Sequence, residues 1–245
     1  MDIRITTVLN VFKRKKYLKK QIEYIENQSI PSDVWLDITL SNRLPIFPLK
    51  KYPSNFHTNQ NLFHFGRLFY ALNAQTEFVF ICDDDIFPGE RYFESCINYL
   101  NKNPRSAIIS YGQLLKPVNS YEPSSNFGWH SIRKKQQFYD PVFVDMGGHS
   151  WFIRTEFFRK CFNQSPISFE NGEDLFLSYQ LFNIGVKLVV LPHIFEQPEF
   201  WSSNPKLSWK VGTDSNATYK RDSHKIIRDK IVKTYREMGW VFLSE

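Results

Sequence analysis

The chain has 245 residues, of which 42% are hydrophobic, 17% aromatic and 23% charged. That length suits one large domain with a sizeable core, and the aromatic content excludes an intrinsically disordered chain. No window holds enough consecutive apolar residues for a membrane-spanning helix. The first sixteen residues place the apolar ones before the lysines, the reverse of a signal peptide. Three widely spaced cysteines fit neither a disulfide framework nor a zinc site, so we expect a cytoplasmic protein.

The net charge of +6 is concentrated at the two ends of the chain. Residues 1–20 carry +6 and residues 206–245 carry +4, so the middle is mildly acidic. A basic surface suits anionic partners such as phosphates or lipid headgroups, which leaves a peripheral membrane contact through the basic ends open. A solvated helix face explains each basic run equally well.

Hydrophobic periodicity predicts alternating strands and helices. Strands are predicted over residues 3–11, 34–40, 77–82, 107–111 and 186–191. Helices are predicted over residues 17–25, 62–73, 88–100, 156–162, 174–184 and 222–238. Two short strands, 142–146 and 150–153, are predicted around a tight turn, and the loops are 41–60, 116–142 and 196–221. The pattern predicts an α/β, Rossmann-like fold whose mostly parallel central sheet is flanked by helices, with a more mixed second half.

Three aspartates, Asp83, Asp84 and Asp85, directly follow the predicted strand 77–82. In open α/β sheets, ligands bind at the carboxyl ends of the strands. Adjacent carboxylates repel one another unless a cation offsets them, and Mg²⁺ or Mn²⁺ prefers oxygen ligands. Alternation places Asp83 and Asp85 on one side of an extended chain, which predicts a clamp for a metal and a diphosphate. A solvated acidic turn before a helix is the alternative.

A second acidic pair, Glu173 and Asp174, stands at the start of a predicted helix. The helix dipole favours acids there, so a helix N-terminus is a sufficient explanation. The functional alternative is a general base, because a carboxylate beside the apolar run 175–177 can have its pKa raised toward the working pH.

The third candidate is the segment DMGGHSW at residues 145–151. Paired glycines allow a backbone to approach a ligand closely, and Trp151 offers a face for stacking on a sugar. A hairpin turn with a core tryptophan explains the same residues equally well. The lone histidines His193 and His224 are expected to have ordinary polar partners rather than a metal.

In this order, the motifs resemble those of the GT-A-fold, nucleotide-sugar-dependent glycosyltransferases. Residues 66–88 (GRLFYALNAQTEFVFICDDDIFP) resemble the family's basic helix and the strand that carries its Asp-x-Asp motif. Residues 147–156 resemble its acceptor-side segment, and residues 173–192 resemble its acidic base motif, helix and closing strand. The resemblance runs from about residue 3 to residue 192 and is closest to short transferases that build capsular-polysaccharide or large-DNA-virus (algal virus) glycans.

The resemblance implies a single GT-A domain over residues 1–245. Residues 1–112 would be the nucleotide-sugar-binding half, 113–195 the acceptor half, and 196–245 a loop with a basic C-terminal helix. It implies transfer from a nucleoside-diphosphate sugar, UDP-linked, to a hydroxyl of a glycan or oligosaccharide. A nucleoside diphosphate leaves, and one base then suffices for inversion through an oxocarbenium-like state.

The resemblance also implies roles for individual residues. Asp85 and Asp83 would hold Mn²⁺ (or Mg²⁺), and Asp174 would be the base with Glu173 as its fallback. The acceptor wall would be Gly148, His149 and Trp151. The residues expected to bind the nucleotide sugar are Thr7, Asn10, Arg14, Asn42, Arg67, Asp83 and Asp84.

Two other functions use the same residues. A metal-dependent phosphohydrolase acting on nucleotide sugars would need a second cluster of ligands, and the six histidines are scattered. A non-catalytic glycan- or nucleotide-binding module is the other; nucleic acid is not expected, because basic and aromatic residues interleave only at 12–20.

The long polar segment 201–221 carries two tryptophans, Trp201 and Trp209. A loop of this length in a compact domain is usually functional or disordered. We expect a lid that orders on the diphosphate, with Lys210, Lys220 or Arg221 reaching a phosphate. The alternative is a static wrap in which the two tryptophans cover the core.

Overall fold

Nine strands form one sheet in the part of the chain that the computed structural model describes, which is residues 4–12, 15–39, 51–57, 62, 64–213 and 218–245. The strands are β1 (Ile5–Val11), β2 (Asp33–Thr39), β3 (Ser54–His57), β4 (Phe78–Cys82), β5 (Ser106–Leu115), β6 (Pro123–Gly128), β7 (Val142–Val144), β8 (Met146–Arg154) and β9 (Lys187–Val190). Their order is β3-β2-β1-β4-β8-β5-β9-β7, with β6 beside β5. Among these described strands, six share one direction, and β6, β7 and β8 oppose it. The predicted α/β class with a mostly parallel central sheet is confirmed.

Helices flank this sheet. They are α1 (Leu18–Glu26), α2 (Phe65–Ala71), α3 (Tyr92–Lys102), α4 (Trp129–Arg133), α5 (Thr155–Lys160), α6 (Glu173–Asn183), α7 (Pro205–Gly212) and α8 (Ser223–Glu237). Short 3₁₀ turns lie at Lys15–Tyr17, Pro198–Phe200 and Thr218–Lys220. No helix in the described ranges combines the length and the apolar character needed to cross a bilayer.

Side-chain alternation along β4 builds a hydrophobic core on each face of the sheet. Phe78 and Phe80 join one cluster with the buried residues of α1 and α3. Val79 and Ile81 join the other cluster, which contains buried residues of α2, α5, α6 and α8. Because successive strand residues point to opposite faces, a strand that is apolar at every position must be covered on both sides.

The opening strand–helix–strand unit has the predicted form. β1 pairs in parallel with β2, and α1 buries Leu18, Ile22 and Ile25 while its lysines Lys19 and Lys20 are exposed. β3 is a short strand within the predicted loop 41–60, and it extends the parallel half of the sheet. Residues 41–50 and 58–60 of that loop lie outside the described residues.

The prediction of two short strands around a turn at the paired glycines is wrong. β8 is one continuous strand from Met146 to Arg154 and pairs antiparallel with both β4 and β5. A methyl group on Gly147 would lie 2.6 Å from Ile109 and 3.0 Å from Trp151. Close side-chain packing, rather than a turn, accounts for glycine at that position.

Two loop predictions are also corrected. Residues 116–142 contain β6 and α4, and residues 196–221 contain α7. The start of α7 has a recognisable signal, because Asn204 accepts a hydrogen bond from the backbone N–H of Leu207 and Pro205 occupies the first turn. The predicted end of β5 at Tyr111 falls four residues short of its observed end at Leu115.

The extra length of β5 shapes the region above the parallel strands. Cys82, the last residue of β4, pairs with Ser150 of β8, whereas β5 and β8 remain paired as far as Gln113 and Met146. The β5–β8 ribbon therefore projects beyond the carboxyl end of β4 and forms a wall beside the aspartates that follow it.

Candidate active site

A cavity of about 570 Å³ opens at the carboxyl end of β4. Residues of α6, α7 and α8 line it, together with the β5–β8 ribbon and the first turns of α2. Its volume is in the range of small-molecule sites. Ten of the predicted site residues line this one cavity: Asn10, Arg67, Asp83, Asp84, Asp85, Gly148, His149, Trp151, Glu173 and Asp174.

Three of the predicted nucleotide-binding residues are not brought into the cavity. Thr7 is fully buried within β1, and its hydroxyl donates a hydrogen bond to Ser32 at 2.8 Å. It does not line the cavity. Arg14 and Asn42 lie outside the described residues.

The turn after β4 presents its aspartates in a fixed conformation. The side-chain amide of Gln21, on α1, donates hydrogen bonds to the carbonyl oxygens of Asp83 at 2.6 Å and Ile86 at 3.1 Å. The backbone N–H of Asp83 donates to the carbonyl oxygen of His149 at 2.7 Å. Helix α1, through the buried side chain of Gln21, and strand β8, through its backbone at His149, therefore both hold this turn.

His149 faces the aspartates because β8 is irregular at this point. Between the pairs Ile109–Trp151 and Tyr111–Gly148, β8 contains one residue more than β5, which is a β-bulge. His149 has a φ of 64°, a left-handed conformation that costs energy for a residue with a side chain. The bulge places its Nδ1 atom 3.5 Å from Asp83 Oδ2 and 3.8 Å from Asp85 Oδ1. His149 was predicted to belong to the acceptor wall; it lines the same cavity as Gly148 and Trp151, and its ring lies beside the aspartates.

Asp83, Asp85 and His149 form a group that fits a divalent cation. One ligand atom from each residue can be chosen so that all three lie within 4.8 Å of one another. The buried Nδ1 atom of His149 makes no hydrogen bond of normal length among the described residues, and the carboxylates of Asp83 and Asp85 lie near it. Burial by itself lowers the pKa of His149, but Asp85 and Asp83 outweigh it and raise that pKa. Two carboxylates and an imidazole supply oxygen and nitrogen ligands of the kind that bind divalent metals.

Arg67 connects the two acidic motifs of the sequence. Its guanidinium is buried, forms an ion pair with Asp83, and has Nη2 3.6 Å from Oε1 of Glu173. Nη1 also donates to the carbonyl oxygen of Cys82 at 3.3 Å. Burial by itself raises the pKa of Asp83, but Arg67, His149 and His64 together outweigh it and lower that pKa below the usual value. Arg67 was predicted to bind the nucleotide sugar; in this structure its partners are carboxylates of the site.

Glu173 begins α6 directly after Gly172, whose φ of 89° belongs to the left-handed region. Its carboxylate lies 3.6 Å from Nδ1 of His64, and His64 is a residue that sequence analysis did not select. Burial raises the pKa of Glu173, and His64 and Arg67 only partly oppose that shift. A carboxyl group with a raised pKa is suited to proton transfer near neutral pH.

Asp174, the next residue, is bound by Arg228 of α8. Nη1 of Arg228 lies 2.9 Å from Oδ1 and 3.0 Å from Oδ2 of Asp174. The backbone N–H of Leu175 donates to Oδ1 at 2.7 Å, so the helix start also holds the carboxylate. No motif in the sequence singled out Arg228, because the pair is separated by 54 residues.

Gly148 and Trp151 mark the opposite wall of the cavity. A methyl group added at Gly148 would lie 3.8 Å from Asp174 Oδ2 and 3.8 Å from Tyr111, so it would fit there in ordinary van der Waals contact. Trp151 is buried, packs against Gly147 and lines the cavity. The tryptophan is therefore a core residue that also borders the cavity.

The projecting part of β5 and the loop before β6 bring polar and aromatic residues to the cavity that were not predicted from the sequence. The hydroxyl of Tyr121 donates to Oε1 of Gln113 at 2.5 Å, and Nε2 of Gln113 donates to the hydroxyl of Tyr111 at 2.9 Å. The Tyr111 hydroxyl donates to Asn126 on β6 at 2.6 Å. Tyr111, Gln113 and Tyr121 line the cavity next to Asp174. Only the pairing of β5 with β6 and β8 brings them there.

Helix α7 covers the side of the cavity next to Asp85. A side chain on Gly212 would overlap the Asp85 carboxylate, and Trp209 lines the cavity with 37% of its surface exposed. Arg221 also lines it, whereas Nζ of Lys220 donates to the carbonyl oxygen of Thr213 at 2.8 Å. Residues 214–217 of the predicted lid lie outside the described residues. The predicted cover is therefore partly a helix, packed close to the aspartates.

The fold is similar to that of Staphylococcus aureus TarS, a GT-A-type glycosyltransferase. The crystal structure of its 1–349 fragment matches with a TM-score of 0.58 at 13% sequence identity, over 96% of this chain and 71% of that one. A longer TarS structure gives a TM-score of 0.59 at 13% identity, over 96% of this chain and 43% of that one. No protein-family profile and no curated protein sequence matches the chain. The likeness shows that this chain has a glycosyltransferase-type fold.

Proposed function

We propose that this chain is a metal-dependent glycosyltransferase. It transfers a sugar from a nucleoside-diphosphate sugar, UDP-linked, to a hydroxyl of a glycan or oligosaccharide. The observation that carries the proposal is the arrangement of two acidic motifs around one cavity: Asp83 and Asp85 with His149 on one side, Glu173 and Asp174 on the other. The fold shared with TarS supports the same reaction class.

Asp83, Asp85 and His149 would hold Mn²⁺ or Mg²⁺. When bound, such an ion supplies Lewis acidity that offsets the negative charge of a departing nucleoside diphosphate. Arg67 would keep the Asp83 carboxylate ionised and oriented, because its guanidinium is buried against that side chain. The third ligand, His149, adds an imidazole to the two aspartates expected from the motif.

Asp174 is the proposed general base. Its Oδ2 atom and Gly148 face each other across the cavity lining, and an acceptor hydroxyl would bind beside them. The hydroxyl proton would pass to Oδ2 as the oxygen attacks the anomeric carbon from the face opposite the diphosphate, which inverts the configuration. Glu173 is the alternative base, and its raised pKa favours that role.

The two halves of the chain would divide the substrates. Residues 1–112 would bind the nucleotide sugar, with Asn10, Arg67 and Asp84 at the cavity, and residues 113–195 would bind the acceptor. The polar aromatic residues Tyr111 and Tyr121 suit a sugar ring, whose C–H groups pack on aromatic faces and whose hydroxyls bond to polar groups. Residues 196–245 would close the site through α7 and α8. The sequence resemblance to capsular and viral enzymes favours a surface glycan as the product.

The direct test uses nucleotide sugars with and without Mn²⁺. A donor that binds should raise the melting temperature by mass action, and a screen of UDP-, GDP- and CMP-linked sugars would identify it. Hydrolysis products then separate the possible functions. A glycosyltransferase without acceptor slowly releases nucleoside diphosphate and free sugar, whereas a phosphohydrolase releases nucleoside monophosphate and sugar 1-phosphate. Binding without either reaction would indicate a non-catalytic module and overturn the proposal.

A further inference from the structure

We infer that Arg228, on the C-terminal helix α8, is a positioning residue for the Asp174 carboxylate, and that α8 is therefore an element of the catalytic site. The inference rests on the proposed function of Asp174 as general base. Arg228 lies outside the motifs whose sequence resembles that of glycosyltransferases, which end near residue 192, although the fold likeness to TarS covers 96% of this chain.

The contacts of Asp174 distinguish its two oxygens. Oδ1 accepts hydrogen bonds from Arg228 at 2.9 Å and from the backbone N–H of Leu175 at 2.7 Å. Oδ2 accepts from Arg228 at 3.0 Å and lies toward Gly148, where an added methyl group would be in ordinary contact with it at 3.8 Å. Nη1 of Arg228 and the N–H of Leu175 both hold Oδ1, so Oδ2, whose hydrogen bond among the described residues is with Nη1 alone, is the oxygen presented to the acceptor side. An error of a fraction of an ångström in such a group lowers the rate of proton transfer.

Arg228 is itself held on several sides. Its guanidinium lies over the ring of Tyr121 at 4.1 Å, and Nη2 lies 3.0 Å from the sulfur of Met146. The next residue of α8, Asp229, accepts a hydrogen bond from the backbone N–H of Tyr121 at 2.9 Å. The loop that carries Tyr121 and the helix that carries Arg228 are therefore tied together. A planar guanidinium confined between an aromatic ring and a carboxylate has few accessible side-chain conformations, so it holds the carboxylate in one orientation.

Stability alone is a poor explanation for this pair. Burying two opposite charges costs desolvation, and well-packed apolar residues of similar size often stabilise a fold as well or better. Only 3% of the Arg228 surface is exposed, yet the residue borders the cavity together with its contacts Tyr121, Met146 and Asp174. The buried Arg228 charge carries a desolvation cost and lies beside the proposed base. We therefore explain it by its effect on the position of the Asp174 carboxylate.

The test compares three variants of the full chain. Arg228→Met removes the guanidinium and keeps most of the volume, and Arg228→Lys keeps the charge without the planar group that stacks on Tyr121. Arg228→Met leaves the Asp174 charge without its partner, which can destabilise the protein. The double variant Asp174→Asn/Arg228→Met removes both charges and should therefore stay folded even if Arg228→Met alone does not. Arg236→Lys is the matched control, because Arg236 lies on the same helix and pairs with Glu245 away from the cavity.

We expect Arg228→Met to lower the kcat of sugar transfer by roughly 10²-fold or more, while UDP binding in the presence of Mn²⁺ keeps its Kd. Arg228→Lys should recover the melting temperature but only part of the kcat. In an Asp174→Asn background, Arg228→Met should cost little further activity, because the two residues act as one unit. Arg236→Lys should keep the kcat of the parent.

Two results would overturn the inference. One is a parental kcat in Arg228→Met; the other is a further large loss of kcat when Arg228→Met is added to Asp174→Asn, since the residues would then act separately. If the parent protein transfers no sugar from any donor that it binds, the proposed function is wrong, and the proposed role of Arg228 is wrong with it. An active parent with unaffected Arg228 variants would leave the proposed function standing and remove only this inference.

Discussion

The side-chain amide of Gln21 lies 2.6 Å from the carbonyl oxygen of Asp83 and donates a hydrogen bond to it. This contact links α1 to the turn that carries the aspartates, and Gln21 is buried. Gln28, just after α1, makes the same kind of contact with the next turn: it donates to the carbonyl oxygen of Gly89 at 2.7 Å and accepts from the N–H of Phe93 at 3.0 Å. The two glutamines are suitable for a paired comparison. Both are buried and each holds a turn, but only the turn held by Gln21 carries the aspartates.

We expect Gln21→Leu and Gln28→Leu to lower the free energy of unfolding by similar amounts, about 1–3 kcal/mol each. The reason is that each leaves buried carbonyl groups without a donor. Only Gln21→Leu should weaken the binding of Mn²⁺ and nucleoside diphosphate. Chemical denaturation and titration calorimetry provide the two readouts. Equal metal affinity in both variants would show that α1 does not fix the aspartate turn.

Asp85→Ala should abolish Mn²⁺-dependent activity with little loss of fold. Removing one of three adjacent acids relieves repulsion, so the melting temperature without metal should hold or rise slightly. The activity assay and a melting curve with and without Mn²⁺ measure these effects. Asp140→Ala is a suitable control, because Asp140 is exposed and does not line the cavity. Sugar transfer at the parental rate in Asp85→Ala would refute the metal assignment.

The two candidate bases are separated by paired variants. Asp174→Asn should reduce kcat by roughly 10²–10⁴-fold, the usual contribution of a general base, and leave donor binding intact. Glu173→Gln should reduce it less if Asp174 is the base. The reverse order would move the base to Glu173, whose pKa is raised by burial. Parental rates in both would favour a retaining mechanism in which neither carboxylate takes the acceptor proton.

The adjacent glycines predict opposite outcomes. Gly147→Ala should destabilise the protein by about 1–3 kcal/mol, because the added methyl group would meet Ile109 at 2.6 Å and Trp151 at 3.0 Å. Gly148→Ala should leave stability nearly unchanged, since its nearest neighbours would be 3.8 Å away. It should instead raise the KM for the acceptor by occupying the space before Asp174. An unchanged KM in Gly148→Ala would place the acceptor elsewhere in the cavity.

His193 predicts a pH dependence of stability that is separate from the site. Its ring is fully buried between the carbonyl oxygen of Leu191 and the hydroxyl of Ser202, and burial lowers its pKa from 6.5 to about 4. The unfolded chain therefore binds a proton first as the pH falls. Stability from this residue is complete above pH 6.5 and is lost between 6.5 and about 4, by about 3 kcal/mol. Denaturation across that range should show the slope in the parent and not in His193→Gln.

Much of the fold follows from local pattern. The run 78–82 is apolar at every position, so it must be a central strand covered on both faces, and the acids that follow it must emerge at the sheet edge. The lysine-and-isoleucine spacing of α1 likewise requires a helix with one buried face. The glycines of β8 misled the prediction, because the sequence does not distinguish a glycine needed for a turn from one needed for packing against Ile109.

By itself, the sequence determined which strands are buried and that two acidic motifs would stand at strand and helix ends, since periodicity and charge act over a few residues. Only the tertiary structure decided which groups meet. The bulge that turns His149 toward Asp83 depends on the register between β5 and β8, and Arg228 reaches Asp174 because α8 packs against α6. Such contacts join residues far apart in the chain, and their geometry is set by the packing of whole elements, which no local pattern encodes.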